Sequence, residues 1–172
     1  PEHAKILKGA IAEWERKTCL RFIERTTQTD YVEFYYGQGC NSDVGAMKTG
    51  RQTTSIGKGC EDHGIMVHEI GHLIGLYHEQ NRPDRDQHVK IEFKNVHPQY
   101  FYAFEVKDAN EVDSRGVPYD YYSVMHYGSK DFSKNGRPTI LSKKEGITEF
   151  GNNHISPLDA KIVNLMYKCP GK

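Results

Sequence analysis

Three histidines in the stretch HEIGHLIGLYHEQNRP, His68 to Pro83, stand at offsets zero, four and ten, with Glu69 after the first and Gly75 before the third. Two histidines four residues apart on a helix lie on one face, a turn apart, so His68 and His72 can both reach one zinc ion at about 2.0–2.1 Å. Glu69 sits beside them but points around the helix, suited to hold a water on the metal rather than the metal itself. Gly75 is placed to end the helix in a left-handed conformation, which turns the chain so that His78 returns to the ion. Three neutral nitrogen ligands leave a coordination position for water, the mark of a catalytic rather than a structural zinc. Zinc lowers the pKa of such a water to about 7. Glu69 would take the proton and later pass it to a leaving amine. These residues therefore point to zinc-dependent peptide hydrolysis, with one Zn2+ per chain.

A second signal lies at YDYYSVMHYG, Tyr119 to Gly128. The extended histidine pattern anticipates a later methionine-containing turn beneath the metal. Met125 fits that role with a soft, polarisable side chain. Tyr127, two residues on, is placed to bring its phenol near the zinc or a developing oxyanion. His126, between them, reads as structural.

Elements must hold these groups. Ile6, Leu7, Ala10, Ile11 and Trp14 recur at helical spacing and predict a helix over 5–16. Two strand-like runs follow, LRFIER from Leu20 and YVEFYYG from Tyr31, the second with two alternating faces. Glycine-rich turns then lead to a short extended run, Thr54 to Ile56, and to a helix over 64–76 that carries His68, Glu69 and His72. The segment from about His88 to Tyr122 reads as mostly irregular. Ser156 as N-cap, Pro157 at the first helical position and Asp159 at the third open a closing helix with Ile162, Leu165 and Met166 on its apolar face.

The 172 residues suit one domain or two closely packed lobes. Hydrophobic residues make up 37% and charged residues 27%, as in a globular chain rather than a disordered one. Lysine plus arginine equals aspartate plus glutamate at 23 each, so there is no electrostatic case for nucleic acid or anionic membrane as partner. No apolar run approaches the roughly 20 residues that span a bilayer. The four cysteines, Cys19, Cys40, Cys60 and Cys169, contain no C-x-x-C pair, which disfavours a zinc ribbon or thioredoxin-like site. An even count suggests two disulfides and an oxidising compartment. Spacing leaves all three pairings open.

Taken with AEWERKTCLRFIER, SIGKGC, HEIGHLIGLYHEQNRPDRD, YDYYSVMHYG and LMYKC, these motifs make nearly the whole chain resemble a catalytic domain of the astacin family, among the metzincins. The resemblance implies an α+β, two-lobed metzincin-like zinc protease domain. Its N-terminal lobe, about 1–78, would hold a mixed twisted sheet plus helices, and its C-terminal lobe, about 79–172, would be mostly irregular and end in a helix. It implies His68, His72 and His78 as zinc ligands and Glu69 as general base. Tyr127 would ligate the resting metal and swing away to stabilise the transition state. The implied disulfides are Cys19–Cys169 and Cys40–Cys60, the first closing a loop worth on the order of 4–5 kcal/mol. Cys40, Asn41, Ser42, Asp43 and Val44 would form an edge strand that pairs with an extended protein or peptide substrate in the cleft.

The resemblance also implies a segment upstream of Pro1 that includes a first strand. In the family the mature amino terminus is buried near the glutamate after the third histidine, here Glu79. Pro1 stands too close to the first helix to reach it, which would leave Glu79 without that partner. The stretch FGNNH, 150–154, carries no fixed charge where relatives that favour an acidic residue after the scissile bond carry a basic one, so no strong acidic preference is expected. The expected protein is a secreted, extracellular, monomeric endopeptidase with no nucleic-acid or membrane partner. The competing readings are a zinc-binding but catalytically inactive extracellular binding module and a structural domain in which the metal is incidental. Retention of Glu69 disfavours the first, since an inert site needs no general base, and one tightly held zinc per chain would disfavour the second.

Overall fold

The computed structural model of the chain describes residues 2–171, so the expectation placed on Pro1 lies outside the described residues. Contacts group the chain into two compact units. One runs as far as Leu76 and resumes at Asn153; the other is Tyr77–Asn152.

In the first unit, helix α1 (Glu2–Lys17) opens with an acidic residue and closes with Arg16 and Lys17, the arrangement its macrodipole favours. Its apolar stripe buries Ala10 and Trp14 completely. The Trp14 indole donates to the Val67 carbonyl at 3.0 Å, which satisfies its polar edge inside the core and docks α1 on helix α2 (His63–Ile74). Strands β1 (Tyr31–Tyr35), β2 (Cys40–Asn41) and β3 (Arg51–Ile56) form a sheet in the order β1-β3-β2. β1 runs parallel to β3, and β2 runs antiparallel to it.

Two sequence expectations need correction here. The run LRFIER joins no strand. Its backbone donors are taken by side chains instead, Leu20 N by Thr18 Oγ1 at 3.2 Å and Phe22 N by Glu15 Oε1 at 2.8 Å, and Ile23 is left exposed. The edge strand expected over 40–44 pairs only through Cys40 and Asn41. Beyond them side chains replace the ladder. The Ser42 hydroxyl meets that of Thr54 at 3.2 Å, and the Gln52 amide donates to Gly45 O at 2.9 Å and accepts from Met47 N at 3.1 Å.

The closing helix α3 (Pro157–Met166) has the anticipated capping box. Ser156 Oγ accepts from Leu158 N and Asp159 N, and Asp159 Oδ2 accepts from Ser156 N at 2.9 Å. A boundary drawn at 78/79 would assign this helix to the second lobe, whereas its contacts group it with the first unit. The Cys19–Cys169 disulfide, the Tyr167 hydroxyl donating to Ile74 O at 2.8 Å and Asn164 donating to Lys17 O at 3.2 Å hold it there.

The second unit is built from short pieces. β4 (Val89–Ile91) pairs antiparallel with β5 (Ile140–Ser142), and 3-10 turns cover Glu79–Asn81, Arg85–Gln87, Phe93–Asn95 and Pro98–Phe104. Val89, Val96, Phe104, Tyr119, Ile140 and Phe150 form its core. The β4–β5 ladder was not anticipated in a segment read as mostly irregular.

Candidate metal centre

Helix α2 is fixed at both ends. Asp62, extended at φ −126° and ψ 138°, caps it by accepting from Ile65 N at 3.1 Å. At the other end Gly75 takes φ +114°, with Gly75 N donating to His72 O and Leu76 N donating to Gly71 O at 2.8 and 2.9 Å, the Schellman pattern. Between these ends the helix sets the His68 and His72 rings 4.6 Å apart and perpendicular. Past Gly75 the chain turns, and His78 completes a group of ring nitrogens lying within 4.8 Å of one another.

Buried His72 is oriented from behind. Its Nδ1–H donates to the Leu76 carbonyl at 2.8 Å, which leaves Nε2 as the lone-pair nitrogen. Burial, helped by the neighbouring His68, pushes its pKa down to about 4 against that bond, so the ring is neutral at neutral pH. Glu69 is 7% exposed. Burial pushes its carboxyl up to about 7. Its Oε2 is buried with no hydrogen-bond partner among the described residues, an arrangement that native structures rarely leave unexplained.

The edge segment is tied to the same helix. Gly45 N donates to the His72 carbonyl at 2.8 Å, and the Cys40–Cys60 disulfide joins β2 to the loop preceding α2. Together with Cys19–Cys169, these are the two pairs that the resemblance implied.

Within the second unit, His78 lies against Tyr127, ring centroids 4.5 Å apart. Glu79 N donates to Met125 O at 3.0 Å, so the chain just after the third histidine is fastened to the buried methionine turn. Tyr127 N donates to the side chain of fully buried Gln80 at 3.0 Å. His126 is structural in its bonding. Its Nδ1–H donates to Tyr127 O at 2.7 Å, Nε2 accepts from the Tyr119 hydroxyl at 2.8 Å, and the ring stacks on Phe150.

Glu79 is engaged locally. Its Oε1 accepts from Arg82 Nη1 at 2.9 Å and from Asp120 N at 2.8 Å, so the carboxylate has partners within its own unit. Arg82 also pairs with Asp84 and donates to Val117 O and Pro118 O. Arg85 donates to Gln80 O and Phe104 O, and Asn81 to Ala103 O and Glu105 O. In the sequence, HEQNRPDRD is only a mark of resemblance. Gln80, Asn81, Arg82 and Arg85 of this run are buried and bonded to the backbone around His78 and Tyr127, a role whose one sequence signal is charged residues clustered directly after a metal ligand.

The family model for Astacin (Peptidase family M12A) matches residues 1–168. The chain belongs to the astacin family. It is 42% identical over 174 residues to zinc metalloproteinase nas-6 of Caenorhabditis elegans, covering 100% of this chain and 50% of that protein. It is 41% identical over 175 residues to blastula protease 10 of Paracentrotus lividus, covering 96% and 29%. Among solved structures, high choriolytic enzyme 1, a hatching enzyme zinc-protease from Oryzias latipes, superposes with a TM-score of 0.90 at 36% identity, covering 97% of this chain and 83% of that one. The chain thus spans half or less of the length of these two curated relatives.

The residues of this astacin domain fit the zinc ion of its family. Three imidazoles form the donor set, their nitrogens gathered within 4.8 Å of one another, and the Nδ1–H bond to Leu76 O leaves His72 Nε2 with the lone pair a zinc ligand needs. Glu69, next to His68 on the same helix, has one carboxyl oxygen buried without a hydrogen-bond partner among the described residues.

Proposed function

We propose that the chain is the catalytic domain of a secreted zinc endopeptidase acting on extracellular proteins or peptides. The observation that carries this reading is the Glu69 carboxyl, buried with an unsatisfied oxygen on the helix that supplies two of three clustered imidazoles. His68, His72 and His78 would hold the zinc, which when bound supplies Lewis acidity toward a carbonyl and toward water. Glu69 accepts a proton from the attacking water at its Oε2 and delivers it to the departing amine, for which a pKa near neutrality suits both directions of transfer. The Tyr127 phenol, beside His78, donates to the oxyanion that develops on the substrate carbonyl. Leu76 O holds the His72 ring in the ligating tautomer, and Met125 anchors the chain that follows His78.

An extended substrate pairs with the outer edge of β2 and the segment to Val44, where backbone hydrogen bonds give affinity without demanding a particular sequence. Secretion rests on the two disulfides, which persist in oxidising compartments. Among the described residues no helix is long and apolar enough to cross a membrane. We read the domain as a monomer with no nucleic-acid partner. The test is cleavage of a quenched fluorescent peptide or casein by zinc-loaded protein and by Glu69→Gln at equal zinc occupancy. The reading requires activity that a chelator removes and the variant lacks. Equal turnover by the two proteins would overturn it.

A further inference from the structure

A second group of metal-capable side chains lies within the first unit. Glu13 on α1, His63 opening α2 and His154 just ahead of α3 bring ligand atoms within 4.8 Å of one another. Glu13 Oε2 accepts from His63 Nε2 at 2.7 Å and from His154 Nδ1 at 3.1 Å. Its other oxygen accepts from Ile155 N at 3.0 Å and from the Lys17 ammonium at 3.1 Å, which fixes the carboxylate with Oε2 aimed at the two rings. The Glu13 side chain is 4% exposed, whereas those of His63 and His154 are 34% and 64% exposed.

We propose that Glu13, His63 and His154 form a second site for a divalent cation of the zinc class, separate from the three-histidine centre. Two imidazoles and a carboxylate are a donor set that first-row metals accept. Bonds of about 2.0–2.1 Å in a tetrahedron hold ligand atoms roughly 3.3 Å apart. His154 already stands near that distance from Oε2, and His63 needs a retreat of about half an ångström, which a partly exposed ring can make. The cation would replace the protons that the two rings now offer to Oε2, and the solvent-facing side leaves the fourth position to water. Burial alone would raise the Glu13 pKa, but the bonds from His63, His154, Lys17 and Ile155 hold it at about 2, so the group is a carboxylate near neutral pH.

Two features oppose the cation, the Lys17 ammonium on Oε1 and the first-turn N–H groups of α2, which begins at His63. They make this site weaker than the three-histidine centre. What it offers is a clamp. One ion would join α1, the start of the helix that carries His68 and His72, and the chain that leads into α3.

The test uses protein already carrying one zinc per chain. Equilibrium dialysis against Zn2+ and Co2+ near pH 7.5, with metal analysis, is expected to show a second equivalent, accompanied by a rise in melting temperature. His154→Ala, at a position whose side chain is 64% exposed, is expected to weaken the second equivalent at least about tenfold while keeping the first, whose retention reports an intact fold. A single equivalent in the wild-type protein up to millimolar metal would overturn the proposal. So would a second equivalent that binds His154→Ala as tightly as wild type. Stoichiometry is the readout, so the result stands apart from whether the domain cleaves peptides.

Discussion

Glu69→Gln should stabilise the metal-free protein, and only above a defined pH. The carboxyl is 7% exposed, and burial moves its pKa from 4.5 to about 7. In the unfolded chain Glu69 loses its proton near 4.5, but in the folded chain it keeps it to about 7. Between these values the folded state binds more protons, so the Glu69 contribution to stability is intact below pH 4.5, declines through the window and is lost above pH 7. Moving the carboxyl from 4.5 to about 7, at 1.36 kcal/mol for each pH step of one, comes to about 3 kcal/mol. The near-isosteric glutamine carries no charge to desolvate and escapes this loss. Urea unfolding in the presence of a chelator, disulfides intact, should therefore give nearly equal stabilities at pH 4.5 and an advantage of about 3 kcal/mol for the variant at pH 8.

Other buried groups titrate in the same range. His72 and His126 have pKa values lowered by burial to about 4, so their contributions are present above pH 6.5 and are lost as pH falls toward 4. Both proteins share those slopes, and the difference between them isolates Glu69. Zinc provides an internal control, since a bound cation favours the ionised carboxylate and should shrink the variant's advantage. A wild-type-minus-variant difference independent of pH in the metal-free proteins would refute the claim that Glu69 is desolvated, and with it the reason for assigning it the proton transfer.

Three further perturbations test the rest of the site. Tyr127→Phe keeps the ring beside His78 but removes the phenol, so kcat should fall about 10²- to 10³-fold with zinc content unchanged, as measured by peptide kinetics and metal analysis. Gly75→Ala forces a side chain into φ +114° and places its Cβ 3.3 Å from the Met166 methyl, which should cost about 1–3 kcal/mol in urea unfolding and weaken zinc retention against a chelator, because His78 depends on that turn. Replacing Cys19 and Cys169 together by serine should destabilise the fold by about 5 kcal/mol, against about 3 for Cys40 with Cys60, because the closed loops span 150 and 20 residues; paired thermal melts would reveal the order.

What the sequence made legible and what it hid divide along a physical line. Ser156 with Asp159, Gly75, and the β-rich run from Tyr31 to Tyr35 are local signals, each set by a few neighbouring dihedrals, and each forms its cap, turn or strand where the pattern placed it, although burial along the strand does not alternate. The His68–Glu69–His72 face is local in the same sense, since one helical turn fixes it. LRFIER shows the limit of such signals. Its composition suits a strand, but a ladder needs a partner, and among the described residues its backbone is engaged by Thr18 and Glu15. The pairing of Val89 with Ser142 and the return of α3 to the first unit are likewise agreements between distant segments that no periodicity records.

The charged run after His78 hid its role for a different reason. Arg82 and Arg85 are each 5% exposed, although arginine is almost never fully buried without partners. Leaving such a guanidinium unpaired would cost several kcal/mol, so burial is tolerable only because the same short run provides Glu79, Asp84 and Asp86, and the second unit's irregular backbone offers carbonyls at Gln80, Phe104, Val117 and Pro118. An irregular lobe has few ladders to consume those carbonyls, and buried arginines are what satisfy them. Mostly loop, the second unit can nevertheless hold His78 and Tyr127 in place, because this network does for it what a sheet does for the first. Arg85→Met, similar in volume but without donors, separates charge from packing. It should leave Gln80 O and Phe104 O unsatisfied, cost about 2–5 kcal/mol in urea unfolding, and lower kcat through Gln80 and Tyr127 more than it raises KM. A stable Arg85→Met with unchanged kcat would mean that the aromatic core around Phe104 positions Tyr127 unaided.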